Sequence, residues 1–454
     1  MLAGSNLQRI RHCDGLYHSS NAKQLPPDTT TLVEAIVSSV HTTACIAAAF
    51  LIQSVRGQDT YTTRQTLTVS EAPFESRLVT FLPNHQIQLG RGDATHVLAL
   101  SDLISWGSYT DQHRQPYVYL RGGGVLTAEI IRINATQISL YSQVFAEVQI
   151  PHSLVRAIVF APGANALARD RFRKQILSNN TNHDTAYFTN GDTLRGAYVA
   201  AANPSRANAT GRIEFRTEQR LPSFSIPIER LSALTFRSQD ARELHTEPKQ
   251  RAPSQLSLGF ADGSQLHVAV VTTDQTRIQL DVNEGLTLSA PATTFHRQLT
   301  QIRTHAPRVT FLSDLKPTSY KHIPFLRRSW TQGTDENVLG GRLRCAGTVH
   351  AKGIGMHSAS RITYRLDQKF RWFQSEIAID QAADNRGSVI FRVFLQRDGE
   401  WTSTYTSPIL RGTNRPLAIK VAVAQADAIA LLVEFADRGD ECDYANWVNA
   451  RLSN

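Results

Sequence analysis

The stretch Gly347–Leu366, which reads GTVHAKGIGMHSASRITYRL, combines closely spaced glycines with one histidine and an alternating segment. Gly353 and Gly355 predict either a turn with positive φ or a backbone that approaches a neighbour closely, because glycine has no Cβ atom. Apolar residues then recur at every second position, at Ile362, Tyr364 and Leu366. This spacing predicts a half-buried strand fed by a polar loop. A tight structural turn with a hydrogen-bonded histidine and a binding loop both fit these residues.

Four segments in the last third of the chain, this stretch among them, occur in an order that is similar to one family. They are VTFLSDLKP (Val309–Pro317), LRCAGTVHAKGIGMHSASRITYRL (Leu343–Leu366), FRWFQSEIAIDQAADNRGSVIFRVFLQRDG (Phe370–Gly399) and ECDYANWVNARL (Glu441–Leu452). Residues 309–454 therefore resemble the NPCBM family, carbohydrate-binding modules first noted beside glycoside hydrolase family 98 catalytic domains and related to carbohydrate-binding module family 51. The resemblance implies a galactose-binding-like β-sandwich.

The strand pattern in this module points the same way as the resemblance. Alternating or β-rich runs cover Arg361–Leu366, Trp372–Ile379, Ser388–Gln396, Leu417–Val423 and Ala428–Phe435. Strands at such spacing, with no helical pattern between them, indicate a sandwich or jelly roll.

Several loop residues of the module are candidates for sugar binding, because sugars are recognised by aromatic faces and a few polar groups at the loop end of a sandwich. The candidates are His357, Ser358, Asp380, Glu400, Trp401, Asp443 and Trp447. The resemblance matches His357 to the family's signature histidine, Asp380 to its strand-end aspartate, and Asp443 and Trp447 to its closing pair. Trp401 follows an Asp-Gly turn and is expected to be an exposed sugar platform.

Each of these residues also has a structural alternative. Trp447 fits a core position, and Asp443 fits an anchor that accepts backbone hydrogen bonds. Asp380 either caps its loop or, with Asp384 and Asn385, holds a structural cation such as calcium, since carboxylate and amide oxygens are calcium ligands. The chain departs from the family at residues 381–383, where a further acidic residue is usual. No other cofactor is expected.

Residues 60–305 read as short strands separated by turns, in units that share one plan. The units are 77–107, 117–160, 186–236 and 255–303. Ile150-Pro151 and Ile226-Pro227 precede the closing strand of two units, and the third copy has lost its Ile-Pro. Such units are each too small to bury an apolar face alone, so small barrels or a shared sandwich are expected. The fold class predicted for the whole chain is therefore all-β, with a helix over 164–178.

Residues 1–57 resemble a leader rather than a folded domain. Thr43–Val55 is an apolar run of the length found in signal peptides and short for a membrane span. A cleaved signal peptide, a retained membrane anchor and a buried helix are the three alternatives. The first two predict an exported protein at the cell surface, in the periplasm or secreted.

Composition excludes some functions. The chain has 454 residues and a net charge of +9, but its basic residues are scattered and form no dense block, so nucleic-acid binding is not expected. Four cysteines occur without metal-binding spacing, at Cys13, Cys45, Cys345 and Cys442. The last two open and close the module, and they either form a disulfide or remain separate thiols.

The sequence contains no nucleotide-binding, zinc-protease or serine-hydrolase motif, and no pair of acids stands out as a glycosidase pair. We therefore expect a non-enzymatic, exported carbohydrate-binding protein whose module recognises a glycan and whose strand units act as scaffold. The alternatives are a structural or protein-interaction role at the cell surface and, next, a divergent glycoside hydrolase.

Overall fold

The computed structural model describes residues 62–454, except for 112–115, 135, 164, 179–180, 203–210, 218–219, 238–255, 275, 283–284, 325–327 and 367–369. The predicted leader, residues 1–57, lies outside these described residues. Residues Asp59–Asn454 form one compact unit. The predicted all-β class is confirmed, since the described chain is built almost entirely of strands. Within that part of the chain no helix is both long and apolar enough to cross a membrane.

Four successive groups of strands, here called groups 1 to 4, build the N-terminal part of the described chain. Group 1 comprises β1 (Arg64–Thr68), β2 (Phe74–Leu82), β3 (Gln86–Arg91), β4 (Ala94–Ala99) and β5 (Leu103–Gly107). Group 2 comprises β6 (Tyr117–Leu120), β7 (Val125–Thr127), β8 (Glu129–Ile133), β9 (Gln137–Ser142), β10 (Ala146–Pro151) and β11 (Val155–Val159). Group 3 comprises β12 (Asp184–Phe188), β13 (Thr193–Ala202), β14 (Arg212–Thr217), β15 (Arg220–Pro227) and β16 (Leu231–Thr235). Group 4 comprises β17 (Leu256–Phe260), β18 (Gln265–Thr273), β19 (Arg277–Val282), β20 (Leu286–Pro291) and β21 (Leu299–Thr304).

Groups 1, 3 and 4 share one spatial order, in which the last strand of the group pairs with the first and the others follow as an antiparallel meander. In group 2 the same path is split, because β7 and β8 pair with different neighbours. Strands β11 and β16 join groups 2 and 3, and β5 and β21 join groups 1 and 4. One apolar core takes buried residues from all four groups. The groups therefore share a core, as small units must when none can bury its apolar face alone.

A proline precedes the closing strand in three of the groups, at Pro151, Pro227 and Pro291. The first two are followed by 3₁₀ turns and the third by helix α2 (Ala292–Gln298). The prediction that the third copy has lost its Ile-Pro is thus half wrong, since the proline is kept and only the isoleucine is replaced, by Ala290. Ala290 is fully buried, as Ile150 is, so the position stays apolar. Helix α1 (Ala166–Ser178) precedes α2 in the chain and lies within the predicted helix.

The C-terminal module, residues 309–454, is a sandwich of two antiparallel sheets. Its strands are β22 (Val309–Phe311), β23 (Ser319–His322), β24 (Gly333–Thr334), β25 (Leu343–Cys345), β26 (Thr348–His350), β27 (Gly353–His357), β28 (Ser360–Arg365), β29 (Trp372–Ile379), β30 (Ser388–Arg397), β31 (Glu400–Thr406), β32 (Leu410–Arg411), β33 (Leu417–Ala422), β34 (Ala428–Phe435) and β35 (Tyr444–Ser453). One sheet has the order β24-β27-β35-β29-β33 and the other β23-β28-β34-β30-β31. Apolar residues from both sheets fill the space between them. This is the galactose-binding-like sandwich that the resemblance implies.

The glycines of the opening stretch lie in strand β27 and not in a loop. A Cβ atom on Gly355 would stand 2.5 Å from the Glu336 carbonyl oxygen, and one on Gly353 2.5 Å from the Trp447 carbonyl oxygen. The expectation of a turn at these glycines is therefore wrong, although Gly353 does have a positive φ of 150°, and the alternative of a close backbone approach is right at both.

Buried ion pairs join the module to the N-terminal groups. Arg342 and Arg344 both reach Asp170 of helix α1, with Arg344 Nη2 donating to Asp170 Oδ1 at 2.9 Å. The same two arginines pair with Asp111. Burial alone would raise the pKa of the Asp170 carboxyl, but the two guanidiniums outweigh it and lower that pKa. The module is thus held against the strand groups by charges that are paired on both sides.

Candidate functional site

One end of the sandwich, here called the loop end, gathers the histidine of the opening stretch and several aromatic residues. Strand β27 ends at His357, and β35 begins at Tyr444, which lies directly opposite it in the antiparallel register. Strand β23 ends nearby at His322. The segment that follows β23 brings Trp330 back over this end, where the Tyr320 hydroxyl donates to the Trp330 carbonyl oxygen at 3.0 Å.

Four rings form a cluster at the loop end, which we call the aromatic cluster: His322, Trp330, His357 and Tyr444. The Trp330 and His357 rings are parallel, with centroids 4.7 Å apart and planes 4° apart. His322 meets His357 edge-on at 5.9 Å, and Tyr444 meets it at 6.0 Å. The Arg328 guanidinium lies over the Trp330 ring at 3.9 Å from its centroid. Trp330 and Tyr444 are half-buried, so the cluster reaches the surface.

The cluster carries little charge of its own. His357 is 3% exposed, and burial lowers its pKa to about 4, with the neighbouring His322 acting in the same direction. Burial also lowers the pKa of His322. Both imidazoles are therefore neutral near pH 7, and His322 Nδ1 accepts a hydrogen bond from the Trp330 backbone N–H at 3.2 Å.

Ser358 and Asp443 lie behind the aromatic cluster and are buried. Asp443 Oδ1 accepts a hydrogen bond from the Ser388 backbone N–H at 2.8 Å, which fixes the start of β30. Burial raises the pKa of the Asp443 carboxyl to about 6. The Ser358 hydroxyl lies 3.5 Å from His357 Nδ1. These two predicted site residues support the cluster from within the fold and do not face solvent.

Asp380 directly follows strand β29, caps the 3₁₀ turn Gln381–Ala383 and is also buried. Its carboxylate accepts hydrogen bonds from the Ala382 and Arg344 backbone N–H groups and from the Asn337 and Asn446 side-chain amides, at 2.7 to 3.2 Å. Four donors match the roughly four lone-pair sites of a carboxylate. Asp380 thus holds its loop together, as the capping alternative expects.

The other two residues of the predicted cation site, Asp384 and Asn385, are exposed in the turn after Asp380. Across the described residues no group of three or more His, Cys, Asp or Glu side chains is placed to hold a metal ion. The cation remains a prediction from the sequence. Cys345 and Cys442 are both free thiols.

Glu400 and Trp401 lie at the opposite end of the sandwich. In the pairing of β30 with β34, Val389 and Phe435 are matched at the loop end, whereas Gln396 and Ala428 are matched where β30 turns into β31. Trp401 follows that turn and is 43% exposed. The seven predicted residues therefore do not form one site, because a full strand length separates Trp401 from His357.

Trp447 is fully buried between the sheets, where it meets Phe391 edge-on at 5.0 Å. The prediction that Trp447 binds sugar is therefore wrong, since a side chain in the core cannot contact a sugar. Trp330 and His322 were not singled out by sequence reasoning. The available signal was a lone tryptophan after Arg327-Arg328-Ser329 in a polar segment, where nothing in the sequence itself requires a large apolar side chain.

The C-terminal module is thus a two-sheet sandwich with an aromatic cluster at one end. Residues 308–453 match the family model described as NPCBM/NEW2 domain, and this part of the chain is such a domain. A curated relative, "Putative endo-alpha-N-acetylgalactosaminidase" from Renibacterium salmoninarum, is 30% identical over 110 residues, which make up 24% of this chain and 7% of that protein. The chain thus spans a small fraction of this relative.

Two of the solved structures that match this chain come from Clostridium perfringens. The CBM51 module of its GH95 enzyme, in complex with methyl-galactose, is 23% identical, covers 32% of this chain and 99% of its own, and has a TM-score of 0.29. CBM51-2 with the INT domains of ZmpB, in complex with GlcNAc, is 24% identical and covers 42% of this chain and 40% of its own, also at a TM-score of 0.29.

Proposed function

We propose that the chain is a non-catalytic glycan-binding protein, in which the aromatic cluster at the loop end contacts the sugar and the four strand groups act as scaffold. The observation that carries this proposal is the parallel pair of Trp330 and His357, which places a half-buried indole at the surface of a carbohydrate-binding module. An indole packs well against the apolar C–H face of a sugar ring.

Polar groups around the indole supply the second requirement, recognition of hydroxyls. The hydroxyl of the half-buried Tyr444 can donate to and accept from a sugar hydroxyl, whereas His357 is buried and supports the Trp330 ring from below. Arg328 is exposed on a long side chain over Trp330, so it can move aside or bond to a bound sugar. Such a mixture of apolar face and few polar groups is typical of ligand sites.

Export to the cell surface or beyond is part of this proposal. Its support is the apolar run Thr43–Val55, which has the length of a signal-peptide core. Glycans of the kind that such modules bind are found outside the cell, so a binding protein that is exported would meet its ligand.

A glycan array probed with the full chain tests the proposal. We expect saturable binding to a restricted set of glycans, and galactose- and N-acetylgalactosamine-containing glycans belong on the array because one relative bears the name of an N-acetylgalactosaminidase. The same array with Trp330→Ala should lose those signals. A blank array for the wild type would favour the structural or protein-interaction role instead.

Glycoside hydrolysis is the second alternative function, because the same relative bears the name of a glycosidase. Incubation of the full chain with aryl glycosides, N-acetylgalactosaminides among them, should release no phenol above the uncatalysed rate. Sustained release that follows the protein through purification would contradict the non-catalytic part of the proposal.

A further inference from the structure

A cleft of about 520 Å³ lies between strand group 1, β21 and the C-terminal module, away from the loop end. Arg64 of β1 and Arg303 of β21 line it on one side, and His350 and Arg415 of the module line it on the other. Its volume is within the range of small-ligand pockets. The cleft is therefore large enough for one or two sugar rings.

None of the described acidic residues forms an ion pair with Arg64, Arg303 or Arg415 of this cleft. Within the part of the chain that the structure describes, no hydrogen bond or ion pair engages the guanidinium of Arg64, Arg303 or Arg415. Arg64 lies 5.5 Å from the Trp106 ring centroid and Arg303 lies 5.6 Å from that of Phe311. Such ring contacts orient a guanidinium while leaving its N–H donors available.

Two other arginines, which lie between the strand groups and the module, do have acidic partners. Arg342 and Arg344 share two aspartates, Asp111 and Asp170. The arginines that hold the module against the strand groups are therefore paired with carboxylates. Asp314 and Asp335 act on Arg303 from a distance, but both are ion-paired with Lys352. An unpaired guanidinium in a cleft carries donors that water or an anionic ligand must satisfy.

The rest of the lining fits a polar anionic ligand. His350 has a buried Nε2 atom with no hydrogen-bond partner among the described side chains. Gln65, Gln301 and Asn449 offer amides for hydroxyl groups. Two carboxyls, Glu75 and Glu376, also line the cleft, and burial raises the pKa of Glu376, which favours its neutral form.

We propose that this cleft binds a small anionic saccharide, such as a uronic acid or a sulfated sugar, with its oxyanion on the Arg64 and Arg303 guanidiniums. Planar guanidiniums pair with carboxylate and sulfate oxygens through two parallel hydrogen bonds. The saccharide part of this inference rests on the proposed glycan-binding function, whereas the oxyanion part rests on the unpaired arginines alone.

Calorimetric titration of the full chain with sodium glucuronate tests the inference, and glucose, which lacks the carboxylate, is the neutral control ligand. We expect saturable binding of glucuronate at one site and none of glucose under the same conditions. Arg303→Gln should weaken glucuronate binding by roughly ten- to a hundredfold, the usual effect of losing hydrogen bonds to a charged group. Arg415→Gln should weaken it too, and because Arg415 is exposed this variant does not depend on the fold tolerating the change.

Trp330→Ala is the control at the loop end and should leave glucuronate affinity unchanged. Loss of array binding by Trp330→Ala with intact glucuronate binding separates the loop end from the cleft. The inference is overturned if glucuronate gives no saturable heat, if Arg303→Gln and Arg415→Gln bind it like the wild type, or if only inorganic sulfate binds. It is also overturned if Trp330→Ala abolishes glucuronate binding while both arginine variants retain it.

Discussion

The His357 imidazole is parallel to the Trp330 indole, with ring centroids 4.7 Å apart. His357 ends a central strand of the sandwich, whereas Trp330 belongs to a segment outside the long strands. The stack therefore fixes an otherwise irregular segment to the sheet, and it brings an aromatic face to the loop end. Its properties lead to predictions on pH dependence, packing and binding.

The pH dependence of folding should carry the signature of His357. Its pKa is about 4 in the folded chain, against an ordinary value of 6.5, because burial disfavours the imidazolium. Between these values the unfolded chain binds a proton that the folded chain does not, so the free energy of unfolding falls as pH falls from 6.5 towards 4. In His357→Gln this pH dependence should be weaker. The fall in the free energy of unfolding between about pH 7 and about pH 4.5 should be about 1–3 kcal/mol smaller than in the wild type. Urea denaturation of both proteins at about pH 4.5 and about pH 7 measures the difference.

Asp443→Asn is the matched control, since its carboxyl shifts in the opposite direction. Burial raises the pKa of Asp443 to about 6, so its folded form binds the extra proton and its contribution to stability falls as pH rises from about 4 to 6. The two variants should therefore change the pH slope with opposite signs. Equal slopes in the wild type and both variants would contradict this account of the buried groups.

The ion pair of Arg344 and Asp170 should matter for stability far more than an exposed pair on the same helix. Asp170→Ala leaves two guanidiniums short of a buried carboxylate and should cost about 3–5 kcal/mol. Lys174 of α1 also reaches the module, at 2.7 Å from Glu336, but it is exposed, so Lys174→Ala should cost less than about 1 kcal/mol. Chemical denaturation compares them, and similar losses in both variants would be the contrary result.

Gly355→Ala should destabilise the module strongly. An added Cβ atom would stand 2.5 Å from the Glu336 carbonyl oxygen and 2.6 Å from the Asn337 Cα atom, and backbone atoms cannot yield as a side chain can. We expect a loss of about 2 kcal/mol or more in the free energy of unfolding. Gly399→Asn is the comparison, because that position has open space and asparagine tolerates its positive φ. Native-like thermal stability of Gly355→Ala would show that the backbone at Glu336 and Asn337 can move away at little cost.

Much of the fold could be predicted from the sequence. Alternating or β-rich runs marked β28, β29, β30, β33 and β34 to within about one residue, and β28 showed the period-two pattern of a half-buried strand. Strand β27 was missed, since GIGMH is buried on both faces and does not alternate. Strand β31 was missed for the opposite reason, as it is almost wholly exposed.

The site could be predicted only in part. His357 was identified from its loop and from the family pattern, but its partner Trp330 comes from a segment without periodicity. Trp401 and Trp447 both looked like candidates because composition cannot distinguish an exposed tryptophan from a core one. Only the strand register shows that Trp401 lies at the far end and that Trp447 fills the core. The unpaired arginines of the cleft meet only when the strand groups and the module are packed together.

The central claim is that glycan binding takes place at the aromatic cluster. It is tested most directly by calorimetric titration of an array-positive glycan against the full chain, Trp330→Ala and Trp401→Ala. We predict that Trp330→Ala weakens binding by about tenfold or more, as expected for loss of a central aromatic contact, while Trp401→Ala binds like the wild type. Unchanged affinity in Trp330→Ala together with lost affinity in Trp401→Ala would contradict the account and place the sugar at the opposite end of the sandwich.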